Sequence, residues 1–165
     1  MEQLTFPASE LPAIGFLAEI SSEHRAFLAC FGKFLKAETG HMLIREGDNQ
    51  ESLFMILSGT LHIVADSQQR PVLLAAFGEG ESIGEINLFD PAAASATAIV
   101  RTGGLIWSLS REELEAFIAA DPLAGTMVLK GLLRQEARRI RSMNEKLASA
   151  EQRSSLQNFW TARNP

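Results

Sequence analysis

The sequence predicts a mainly β protein with flanking α-helix: an antiparallel jelly roll or barrel between an N-terminal helix and a long C-terminal helix. Two changes of period carry this expectation. From Glu38 to Leu109 the apolar residues come in short runs of strand length, and on either side of that stretch they recur at helical spacing. The third observation is the placing of glycine, at positions 40, 47, 59, 78, 80, 84, 103 and 104 within the same stretch. Corners between short strands need positive φ or close backbone approach, which glycine supplies. Many short strands at this spacing suit a closed or double-sheet antiparallel architecture.

Residues 1–20 carry scattered apolar positions and two prolines, and read as a loose arm or a short helix. Ser21 offers an N-cap and Glu23 an early acidic residue for a helix over 22–32, with Phe27, Leu28 and Phe31 inward. The strand-length runs are Met42–Ile44, Leu53–Leu57, Leu61–Val64, Val72–Phe77, Thr97–Val100 and Leu105–Leu109. Turn signals such as Glu46-Gly47-Asp48-Asn49 and Ser58-Gly59 separate them. Ser110-Arg111-Glu112-Glu113 is a capping box, followed by Leu114, Phe117 and Ile118 at helical spacing. Asp121-Pro122 restarts the chain, with Asp as N-cap and Pro at the first helical position of a helix running to about 150. In that helix Leu133, Ala137, Ile140, Asn144 and Leu147 are spaced 4-3-4-3, the seam of a coiled coil, and a lone seam Asn fixes register in parallel dimers. The alternative is a helix packed on its own domain. The organisation expected is an arm and helix over 1–37, a β core over 38–109, a capped helix and dimerisation helix over 110–150, and a polar tail over 151–165.

Composition narrows the function. No apolar run approaches the ~20 residues of a membrane helix, and the N-terminus lacks a signal peptide's basic start and apolar stretch. A single cysteine, Cys30, excludes an internal disulfide framework and reads as a buried thiol at the end of an apolar helix face. The cytoplasm is the expected compartment. From Thr126 onward eight basic and three acidic residues give +5, against −10 for the rest of the chain. This reads first as a solvated helix face attracted to an acidic body. His24, His41 and His62 are widely separated, without the imidazole and carboxylate cluster of a metal oxygenase, and no nucleophile elbow or Walker loop is present. No enzyme activity, metal or cofactor is expected. Trp107 and Phe77 read as core.

Two segments carry a resemblance. Arg45-Glu46-Gly47-Asp48, followed by Leu53-Phe54-Met55-Ile56-Leu57-Ser58-Gly59-Thr60-Leu61, is a strand–turn–strand signature. Phe77 to Glu85, continuing as Ile86-Asn87-Leu88-Phe89, resembles the phosphate-binding cassette of the cyclic nucleotide-binding domains. The resemblance covers roughly residues 15–145. It implies a regulatory domain of the kind found in catabolite-activator-type regulators, kinase regulatory subunits and gated channels. Backbone N–H groups beside Gly84 would meet the phosphate, and the glutamate at the position of Glu85 accepts from the ribose 2′-OH. The ligand-binding residues the resemblance points to are Gly84, Glu85, Ile86, Asn87, Ser95, Ala96 and Thr97.

The cassette departs from the family at one point. A guanidinium should stand just before the small Ser/Ala-Ala-Thr stretch, bidentate on the phosphate. Here those positions are Ala94 and Ser95, and no Arg or Lys occurs between Arg70 and Arg101. Losing one member of a buried charge pair costs about 3–5 kcal/mol, roughly 10²–10³ in affinity. The hydroxyls of Ser95 and Thr97 are weaker donors. The substitute cations in the sequence are Arg101, beyond the cassette, and Arg134 and Arg138 on the long helix. The expectation is a regulatory sensor that dimerises through its C-terminal helix, binds a cyclic nucleotide weakly or in altered form, and signals to a protein partner. The alternative is a degenerate, non-nucleotide-binding structural or protein-interaction module. Transcription factors of this family append a helix-turn-helix domain, which the residues after Ala150 are too few to form, so no DNA-binding domain is expected.

Overall fold

The computed structural model describes residues 11–67 and 70–161. Expectations for residues 1–10 and 162–165 lie outside the described residues. Helix α1 (Ser22–Ala29) is capped by the Ser21 side chain, which accepts from the His24 N–H at 3.3 Å. Eight strands follow: β1 (Lys33–Ala37), β2 (Met42–Ile44), β3 (Ser52–Ile56), β4 (Thr60–Ser67), β5 (Arg70–Phe77), β6 (Ser82–Ile83), β7 (Thr97–Thr102) and β8 (Gly104–Ser110). A short helix, α2 (Glu85–Phe89), sits between β6 and β7. Helices α3 (Arg111–Ala120) and α4 (Pro122–Thr161) close the chain.

The strands form two antiparallel four-stranded sheets, ordered β1-β8-β3-β6 and β2-β7-β4-β5. Phe54, Ile56, Leu61, Ile83, Ala98, Val100 and Ile106 form one buried cluster drawn from both sheets. β3 is buried at four successive positions, Leu53 to Ile56, because both of its faces are covered. Trp107 is fully buried, as expected of core, and Phe77 packs half-buried against the cluster.

The sheet starts earlier than the change of period at Glu38 predicts, since β1 begins at Lys33. The helix before it accordingly stops at Ala29 rather than 32. That displacement corrects the reading of Cys30. The residue caps α1 from outside and is exposed, its thiol donating to the Ala26 carbonyl at 3.4 Å. Phe27 is likewise only partly covered, with its ring 5.2 Å from Phe31 and 5.7 Å from Phe117 between centroids. The segment from Leu11 is packed rather than loose. Leu11, Phe16, Leu17 and Ile20 are buried around a 3₁₀ turn, and Arg25 donates to the carbonyls of Leu11 and Ile20.

The capping box of α3 is complete: the Ser110 hydroxyl accepts from the Glu113 N–H at 3.2 Å and the Glu113 carboxylate from the Ser110 N–H at 2.7 Å. Asp121 caps α4 by accepting from the Ala124 N–H at 2.9 Å. The chain forms two compact units divided between Gly131 and Leu132, and α4 spans the division. In the second unit α4 continues to Thr161, beyond the end expected near 150. Leu133, Ile140, Met143 and Leu147 are exposed along it. No helix among the described residues is long and apolar enough to cross a membrane.

Candidate functional site

Gly84 sets the geometry of the cassette. It is the N-cap of α2 at φ 87°, ψ −1°, in the left-handed region. A Cβ at this position would run into the Ser52 carbonyl of β3 and lie 2.9 Å from Gln50 Nε2. Only glycine meets both demands, and α2 is thereby held against the start of β3. Glu85, Asn87 and Leu88 of α2 are buried, while Ile86 and Phe89 point to solvent. Of the proposed ligand residues at α2, then, Gly84 is half-buried, Glu85 and Asn87 are buried, and Ile86 is 62% exposed.

The far end of the cassette is fixed by a different part of the chain. The turn after β2 pairs with it: Gly47 donates to the Ala94 carbonyl at 2.8 Å and Ala94 to the Asp48 carbonyl at 2.9 Å, with an isolated bridge between Asn49 and Ala93. Thr97 Oγ1 accepts from the Glu46 N–H at 3.0 Å, and Glu46 Oε2 accepts from the Asp66 N–H at 2.9 Å. The two sequence signatures, the Glu46-Gly47-Asp48 turn and the cassette, are therefore one assembly in space. Ala96 and Thr97 are half-buried within it.

Ala94 and Ser95 separate clearly. Ala94 is buried, 6% exposed, and Ser95 is exposed. They stand just before β7 rather than on it, and the backbone bonds of Ala94 to the Asp48 turn hold that residue inward. A cationic side chain at 95 starts from an exposed position, whereas at 94 it starts from a buried one, where an unpaired charge is costly. Arg101 in β7 is exposed, and Arg134 and Arg138 belong to the second unit.

Two further side chains take part: Gln50, which carried no sequence signal, and Glu46, legible only as part of its turn. Gln50 packs its amide on Gly84 and donates to the Ser52 carbonyl, while its Oε1 is buried without a hydrogen-bond partner. Glu46 organises Thr97 and β4 through the bonds above. His24 Nε2 lies 3.5 Å from Asp121 Oδ2, and among the described residues no group of three or more His, Cys, Asp or Glu side chains is placed to hold a metal ion.

Comparison with known proteins places this geometry. Residues 34–121 match the cyclic nucleotide-binding domain family. A CRP-like cAMP-activated global transcriptional regulator of Mycobacterium tuberculosis is 33% identical over 110 residues, 66% of this chain. The match spans 47% of that regulator, so the chain covers about half the length of the curated relatives it matches. A cyclic nucleotide-binding domain from Methylobacillus flagellatus superposes with a TM-score of 0.75 at 26% identity, covering 79% of this chain and 74% of that one. The regulatory subunit of a cAMP-independent protein kinase A from Trypanosoma brucei shares the fold, with a TM-score of 0.63 at 24% identity over 75% of this chain and 43% of that one.

Proposed function

The chain belongs to the cyclic nucleotide-binding domain family, and from that premise we propose a cytoplasmic, non-catalytic sensor that dimerises through α4 and holds an ordinary cyclic mononucleotide weakly or not at all. One observation carries the ligand half of this reading. The exposed bend residue before β7, where a guanidinium would meet the phosphate, is Ser95. The cassette around it keeps its form: Gly84 is left-handed, Glu85 is buried in the first turn of α2, and the Asp48 turn holds Ala94. The frame of a nucleotide site is intact and its cation is missing.

The dimer half rests on the seam of α4. Leu133, Ile140 and Leu147 are 71%, 58% and 61% exposed, more apolar surface than a lone solvated helix keeps on one stripe. Asn144 stands on the same seam. A ligand that prefers one arrangement of the cassette biases the helices that follow it, which is how such a domain signals to a protein partner.

A second reading is a pocket that never takes a nucleotide, leaving a structural or protein-interaction module. The loss of the arginine favours it, and the Trypanosoma brucei subunit, described as cAMP-independent, has the same fold. Calorimetric titration of the chain with a panel of cyclic mono- and dinucleotides separates the two. Weak but saturable heat with at least one member supports the sensor. Silence across the panel favours the module.

A further inference from the structure

Asn87 joins two hydrogen bonds that lead in different directions. Its backbone carbonyl lies in the last turn of α2, where helix geometry leaves carbonyls without an intrahelical donor. That carbonyl accepts from Arg111 Nη2 at 2.9 Å. Its side-chain Nδ2 donates to the Ala92 carbonyl, in the loop that leads to Ser95. Arg111 is the first residue of α3 and lies 24 residues from Asn87 in sequence.

The arginine is also held from its other side. Its backbone N–H donates to the Glu51 carbonyl at 3.1 Å, and its Nε is 3.9 Å from Glu51 Oε2. The capping box of Ser110 and Glu113 fixes the turn from which it projects. A guanidinium suits the task, because its donors are rigidly directed and its charge complements the negative end of α2. Arg111 is half-buried, which limits the orientations it can sample.

We infer that Arg111 is a positioning residue that couples the cassette to α3. The Asn87 carbonyl cannot shift without drawing on Arg111 and the first turn of α3. Through Nδ2 and Ala92 the bend that carries Ser95 shares the same linkage. The chain of contacts is contiguous, and contiguity becomes coupling only where a perturbation at one end is felt at the other. The inference rests on the cassette being the ligand element, but the coupling is a property of the ligand-free protein and is tested without ligand.

The experiment is a double-mutant cycle read by residue-resolved amide hydrogen exchange on the full chain, with Asn87→Ala, Arg111→Met and both together. Asn87→Ala is expected to raise exchange at residues 111–114 about fivefold, the lower end of allosteric couplings. Arg111→Met is expected to raise exchange at residues 85–90. In the Arg111→Met background, Asn87→Ala should have no further effect on α3. Coupling through Arg111 is overturned if Asn87→Ala leaves residues 111–114 unchanged, or raises them by the same factor in both backgrounds. Arg111→Lys, which keeps the charge and loses the fork, takes the place of Arg111→Met under the same criteria if that variant does not fold. A failure of nucleotide binding would leave these rates untouched, so the two readings fail separately.

Discussion

Replacing Gly84 by Ala tests the geometry on which the site depends, and two control glycines divide its cost. Gly84 has both a left-handed φ of 87° and a Cβ position that collides with the Ser52 carbonyl. Gly40 has φ 85° with nothing within 4 Å of where its Cβ would stand, and Gly78 has neither the positive φ nor a neighbour. Gly40→Ala therefore isolates the backbone term, about 1–2 kcal/mol for an L residue in the left-handed region. Gly78→Ala should be neutral or stabilise by roughly 0.4–1 kcal/mol through the unfolded chain. Gly84→Ala carries the backbone term and a clash with a main-chain oxygen of β3 that no rotamer relieves. Together these cost about 3–4 kcal/mol, a large part of the 5–15 kcal/mol of a typical domain. Denaturant unfolding of the three variants gives the comparison directly. If Gly84→Ala costs no more than Gly40→Ala, α2 does not pack against β3 as described and the account of the cassette fails.

Two further outcomes follow from the helices. Ile140→Asp should convert a dimer at micromolar concentration to a monomer in sedimentation, and an unmodified chain that is already monomeric would contradict the seam. The Glu112 carboxyl is held below its ordinary value, first by its own backbone N–H and then by the Ser110 hydroxyl. A lowered folded value means that its contribution is complete above the unfolded value and is lost as pH falls through the lowered one. Glu112→Gln should therefore flatten the acid limb of unfolding slightly, and identical acid limbs would remove this contribution.

The parts of the fold legible in the sequence are those written in local chemistry. Ser110 and Glu113 stand three residues apart and form the capping box they predict, and Asp121 caps α4. Each strand-length apolar run lies within or across an observed strand. β1 was hidden because Lys33-Phe34-Leu35-Lys36-Ala37 follows α1 with little turn signal and shares its composition. β6 was hidden because two residues carry no period. Cys30 shows how a helix ending a turn early reverses a burial expectation. Within the site, Gly84 and Glu85 were legible as a motif. Gln50 on Gly84, Thr97 on the Glu46 N–H, and Arg111 on the Asn87 carbonyl were not, because each depends on a backbone group or a neighbour far away in sequence.

The central claim is that the site has a nucleotide-shaped frame without its cation, and cAMP titration calorimetry of the unmodified chain beside Ser95→Arg and Ala94→Arg tests it most directly. A bidentate guanidinium–phosphate contact contributes about 3 kcal/mol in a partly buried site, roughly 10²-fold in Kd. The account predicts weak or no binding by the unmodified chain, a gain of that order for Ser95→Arg, and none for Ala94→Arg, whose side chain would have to displace a buried methyl. Tight binding by the unmodified chain would show that another cation already completes the site. No gain from either arginine would show that the frame itself is closed to the nucleotide.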